Sequence, residues 1–243
     1  MLPPSLFPAT TSYPCVRYNT RVILDKPWYK ANVKQVYPLI IFPRVNLLYT
    51  SGGQHPVPFQ NQNRKKLRIQ GYLIRGGVVP GDKIPIQVDV HNPKNIVIKR
   101  IEATLVQHRQ VGPTCHAETI SRFDLPEVRD FSGPTLERTF ELMVPAIMLS
   151  PSFTYLTPGR LSPIATSIRY ELILEVKARG LFTDFKITVP VLIGTEPSPI
   201  DQQQQYQEQI SVPFEMPTAS APVMDFNEHP PSYDSIVTDQ KPY

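Results

Sequence analysis

Cysteine is scarce in this chain. Only Cys15 and Cys115 occur in 243 residues, far apart and outside any Cys-x-x-Cys or Cys/His spacing. That excludes a disulfide framework and a zinc-ribbon type of metal centre, and it suits a reducing compartment. Long apolar runs are missing as well. The most apolar stretch, residues 36–42, is far short of the ~20 residues that a membrane-spanning helix needs, and residues 1–11 lack the basic leader and apolar core of a secretory signal. Glycine is sparse at 11 residues against 28 prolines, so turns here are set by proline at least as much as by glycine.

Catalytic motifs are also lacking. No Gly-x-Ser-x-Gly elbow and no His-Glu-x-x-His helix is present, and His55, His91, His108 and His229 show no metal-ligand spacing. Cys115 and His116 are adjacent, but neighbouring residues on a strand point to opposite faces, so they make a poor nucleophile and base. The expectation is a protein that is not an enzyme, with no catalytic residue, metal or cofactor.

Acidic charge is missing from most of the chain and concentrated at its end. Residues 196–243 hold eight of the 21 acidic side chains and one of the 25 basic ones, Lys241. The remaining 24 basic and 13 acidic residues leave the body near +11 and the tail near −7. A basic body suits acidic lipid headgroups, phosphorylated segments or nucleic acid. Nucleic acid is set aside, because stacking aromatics at the spacing of an RNA-binding sheet are missing. The run Arg64, Lys65, Lys66 and Arg68 is the candidate contact for an acidic membrane surface or phosphate.

What is present is alternation with period two, the mark of strands with one buried face. Ile84, Ile86, Val88 and Val90 alternate with Lys83, Pro85, Gln87 and Asp89. Val97, Ile101, Ala103 and Leu105 oppose Arg100, Glu102 and Thr104, and Tyr170, Leu172, Leu174 and Val176 oppose Glu171, Glu175 and Lys177. A last run, Phe185, Ile187, Val189, Val191 and Ile193, opposes Lys186 and Thr188, with Gly180 at hairpin distance before it. Turn signals such as Val79-Pro80-Gly81-Asp82 separate these runs. The fold class expected is all-β, an antiparallel immunoglobulin-like sandwich.

Four segments follow. Residues 1–50 hold a separate patch of strands that either packs on the main sandwich or is the end of a domain whose earlier strands are not in this chain. Residues 51–66, polar and turn-rich, read as a linker, and residues 67–195 as the main sandwich. Residues 196–243 are Pro-rich, acidic and poor in large aliphatics, so they are expected to be a disordered arm.

That arm carries Pro230-Pro231-Ser232-Tyr233. Consecutive prolines favour polyproline II, which loses little backbone entropy on docking. In a helix of three residues per turn, the tyrosine returns to the side of the first proline and can fill a second pocket. This is the Pro-Pro-x-Tyr logic of WW-domain ligands. A single peptide of this kind binds weakly, with a dissociation constant on the order of 10 µM.

Val16-Arg17-Tyr18 and Leu24-Asp25-Lys26-Pro27-Trp28, then Gly71-Tyr72, Pro80 to Ile86, Arg169 to Leu172 and Val189 to Pro197, come in an order that resembles the α-arrestins, with Pro-Pro-Ser-Tyr following where that family has it. The resemblance implies two β-sandwiches in tandem, with residues 1–50 as the last strands of the first and residues 67–195 as the C-terminal arrestin-like domain. It implies a non-catalytic adaptor, cytoplasmic and peripheral at the plasma membrane and endosomes. Such an adaptor brings WW-bearing HECT-type ubiquitin ligases to membrane-protein cargo, both receptors and transporters, for ubiquitination, endocytosis and sorting. With only the last strands of that first sandwich in this chain, the resemblance also implies an unpaired strand edge, an expected site of dimerisation or aggregation.

Overall fold

The alternating runs become hydrogen-bonded strands in the computed structural model, which describes residues 3–6, 14–159, 162–180 and 183–196. The chain divides into two units, Met1–Gln204 and Gln205–Tyr243, and every described residue lies in the first. In chain order the strands are β1 (Tyr18–Leu24), β2 (Val33–Leu39), β3 (Val57–Gln62), β4 (Arg68–Leu73), β5 (Gly77–Val78) and β6 (Lys83–His91). They continue with β7 (Ile98–Val111), β8 (Thr114–Asp124), β9 (Thr135–Met143), β10 (Phe153–Thr157), β11 (Ile164–Ala178) and β12 (Phe185–Ile193). Among the described residues, the one helical element is a single 3-10 turn at Pro126–Val128. No helix among the described residues is long and apolar enough to cross a membrane.

Two sheets form a sandwich. One runs β3-β4-β6-β9; the other runs β5-β12-β11-β7-β8, with β10 added to β11. All pairings between successive strands are antiparallel except β5 with β12. The core is the set of side chains that alternation assigns inward: Ile84, Ile86, Val88 and Val90 from β6 meet Leu172, Leu174 and Val176 from β11 and Val189, Val191 and Ile193 from β12, all buried. Each such side chain contributes about 1.5–3 kcal/mol when fully removed from water. Gly180, with φ +127, closes the β11–β12 hairpin where the spacing placed it.

The phase of β7 differs from its sequence reading at the start. Ile98 is fully buried while Val97 is only half-buried. A register shift between Lys177 and Ala178 sets Ala178 opposite Ile98, and this irregularity inverts the alternation locally. A second shift on the β8 side, between Leu105 and Val106, leaves both of those residues buried.

Three boundaries are corrected. Residues 57–62, read as linker, form β3 at the sheet edge. Val57 and Phe59 face inward at alternate positions, and the remaining Gln and Asn side chains stand in water, which an edge strand tolerates. Glu196, read as the first tail residue, is held to the folded body: Arg44 donates to its carboxylate, as does the Asn46 amide at 2.8 Å. Leu47, placed with the separate N-terminal patch, is buried against the sandwich. A Cβ added at Gly194 would lie 2.6 Å from Leu47 Cγ, and one at Gly77 would lie 2.7 Å from Leu47 Cδ2.

The N-terminal patch forms a ribbon of β1 and β2, paired over seven residues from Tyr18↔Leu39 to Leu24↔Val33. The flanks of the patch, Val16 and Leu47, pack on the sandwich, while residues 19–40 are exposed throughout. The ribbon is tied down at its base alone. Tyr18 donates its hydroxyl to the Pro3 carbonyl at 2.7 Å, and Leu6 bridges Val16.

Candidate interaction surfaces

The basic run falls at one end of the sandwich. Arg64, Lys65 and Lys66 occupy the β3–β4 turn and Arg68 opens β4, and all four side chains are exposed. The turn is built by Asn63, which is buried. Its Oδ1 accepts from the Lys65 and Leu67 amides at 2.9 and 3.1 Å, and its Nδ2 donates to the Thr183 carbonyl at 2.9 Å. One asparagine therefore satisfies its own turn and fastens it to the β11–β12 loop. Lys66 takes a left-handed φ of 68 to complete the reversal.

That fastening brings in cations that sequence distance hides. Lys65 Nζ lies 2.8 Å from where a Cβ on Gly180 would sit, and Arg179, exposed, donates its backbone amide to Val97 at 2.8 Å. Lys177 and Lys186 also reach this end, but both pair with Glu175, at 2.7 and 3.6 Å, and Lys177 lies 3.7 Å from Asp184. The hydrogen bond from Lys177 holds the Glu175 carboxyl below the usual carboxylate range, so that acid stays ionised. Among the described residues, Arg64, Lys65, Lys66, Arg68 and Arg179 have no carboxylate within ion-pair distance. Arg179 was missed in the sequence because only the Asn63–Thr183 tie places it beside the other four.

At the other end of the core lies a buried polar pair. Tyr170 accepts from the Gln107 amide at 2.6 Å and donates to the Ser150 carbonyl at 2.6 Å. Burial pushes its phenol well above the usual tyrosine range. With both partners satisfied and no path to solvent, this group holds the sandwich together rather than reacting.

Cys115 and His116 lie on β8, where the Cys is exposed and the His half-buried on the opposite face. His108 Nε2 is 3.1 Å from Glu171 on the outer surface of the larger sheet. A cleft of ≈ 400 Å³ beside that pair is lined by Val57, Gly76, Ser152, Arg169, Pro190 and Leu192. Its lining is mostly apolar and can accept an apolar side chain. Pro230, Pro231, Ser232 and Tyr233 lie outside the described residues. Residues 63–198 match the family model described as Arrestin (or S-antigen), C-terminal domain. No curated protein shows a significant match.

Proposed function

The chain belongs to the arrestin family, and from that premise we propose that it is a non-catalytic trafficking adaptor of the α-arrestin kind. In this reading its tail recruits WW-domain HECT-type ubiquitin ligases to membrane-protein cargo for ubiquitination, endocytosis and endosomal sorting. The observation that carries the reading is the conjunction of an arrestin C-terminal domain over residues 63–198 with Pro230-Pro231-Ser232-Tyr233 some thirty residues beyond it. The two parts divide the labour of an adaptor: a rigid sheet surface for cargo and a short extended peptide for the ligase. Co-precipitation of a WW-bearing HECT ligase with the full chain tests it. Tyr233→Ala should abolish recovery of the ligase, and undiminished recovery contradicts the reading.

A second reading concerns the basic end. Arg64, Lys65, Lys66, Arg68 and Arg179, which have no ion pair among the described residues, favour contact with an acidic membrane surface, where each basic residue contributes about 1 kcal/mol. Sedimentation with vesicles containing anionic lipid is expected to capture the chain, and the triple substitution of Arg64, Lys65 and Lys66 by alanine should release it. Capture that survives the triple substitution removes these residues from the contact.

A further inference from the structure

A groove of ≈ 440 Å³ crosses the outer face of the β3-β4-β6-β9 sheet, lined by residues that include Pro58, Gln60, Gln70, Gly71, Tyr72 and Asp89. The register builds it. Pro58 stands opposite Tyr72, and Gln60 opposite Gln70, which in turn faces Asp89. These are alternate positions on their strands, so both rows point outward while Phe59, Val88 and Val90 are buried in the core. The rows lie about 7 Å apart along the strands. One wall is therefore a proline and a tyrosine ring, the other a pair of carboxamides, and the Asp89 carboxylate stands at the β6 end. Tyr72, Gln60 and Gln70 are exposed, and Asp89 is half-buried. The N-terminal segment meets the sandwich elsewhere, with Leu47 against Gly77 and Gly194 at the β5–β12 edge of the other sheet.

The charge on this face is unbalanced. Asp89 is directly opposite Glu137 across the β6–β9 pair, and like charges so placed are destabilising. The Gln87 amide donates to Glu137 at 2.8 Å and lies 3.5 Å from Asp89. Among the described residues neither carboxylate has a Lys or Arg within ion-pair distance, whereas Glu141 has Lys83 at 2.6 Å and Glu127 has Arg138 at 2.7 Å.

We infer that this groove is a docking site for an arginine side chain on a basic segment of a partner protein. A guanidinium is planar, so it can lie against the Tyr72 ring, donate to the Gln60 and Gln70 carbonyl oxygens, and meet the Asp89 carboxylate with two parallel N–H groups. A lysine ammonium offers a point charge without that fork and fits the groove less well. The net positive charge of residues 1–195 repels a basic segment over most of the body, which favours its settling where two carboxylates lack a cation. Resting on the adaptor reading, the segment is assigned to the cargo, because cytoplasmic segments beside membrane spans carry an excess of Lys and Arg.

Fluorescence anisotropy of the full chain is the test, with a labelled peptide of alternating arginine and serine and a second peptide in which uncharged citrulline replaces arginine. The wild type should bind the arginine peptide saturably and prefer it over the citrulline peptide by about tenfold. Asp89→Asn keeps the shape of the side chain and should leave thermal melting unchanged, yet weaken binding about tenfold; Tyr72→Leu should weaken it about threefold. Glu141→Gln, outside the groove, should change it by less than about twofold. Equal affinity for the two peptides overturns the inference, and that arm needs no variant to fold. Equal affinity of Asp89→Asn and wild type also overturns it, as do equal losses in Asp89→Asn and Glu141→Gln, which mean attraction to negative charge at large. Absence of saturable binding overturns it as well. No WW domain enters these measurements, so the arginine site and the ligase-recruiting reading fail separately.

Discussion

At the scale of single residues, Tyr170 shows how a polar group is accommodated in an apolar sandwich. It lies in the core run of β11, and its hydroxyl has found both an acceptor and a donor partner. Tyr170→Phe should cost about 1–2 kcal/mol, because Gln107 and the Ser150 carbonyl each lose a buried partner. The pH dependence has a definite sign. Burial raises the folded-state pKa above the unfolded value of about 10, so the folded chain holds the proton more tightly. Stability is fully present below about pH 10 and is lost as pH rises above it. Denaturant melts of the two proteins between neutral pH and about pH 11 should therefore converge as the solution becomes more alkaline. A constant gap between them contradicts this account of Tyr170. The periodicity placed Tyr170 on the inner face, but it named neither Gln107 nor Ser150. Those partners come from strand register and from the chain segment before β10, which a pattern along one strand does not encode.

At the scale of elements, long strands with strict alternation were legible, and irregular or polar ones were not. β6, β11 and β12 bury the side chains that their alternation assigns inward. The start of β7 was misphased because an irregularity opposite Ala178 adds a residue that no side-chain pattern announces. β3 was taken for linker because an edge strand needs only one buried face, and its Gln and Asn residues resemble a turn. Its neighbour β4 contains Gly71, between β3 and β6, where a Cβ would sit 2.0 Å from the Gln87 carbonyl oxygen and 3.0 Å from the Phe59 ring. Backbone on one side and a buried ring on the other leave little room to yield. Gly71→Ala should thus destabilise the sandwich by about 3 kcal/mol or more, measured by chemical denaturation. A change under about 0.5 kcal/mol would mean that β4 and β6 can separate at this point without cost.

At the scale of the whole molecule, composition carried the division between a basic body and an acidic end, and the order of motifs carried the family. The basic end was half legible: Arg64, Lys65, Lys66 and Arg68 are contiguous in sequence, whereas Arg179 joins them only through the closure of Asn63 on Thr183. The proposed ligase-binding peptide is the reverse case, since Pro230-Pro231-Ser232-Tyr233 is a motif of four consecutive residues. Isothermal titration of the full chain with an isolated tandem WW domain, comparing wild type with Tyr233→Ala, tests the central claim most directly. Loss of a buried aromatic anchor should weaken binding by at least 2 kcal/mol, roughly thirtyfold. Equal affinity for the two proteins would contradict it.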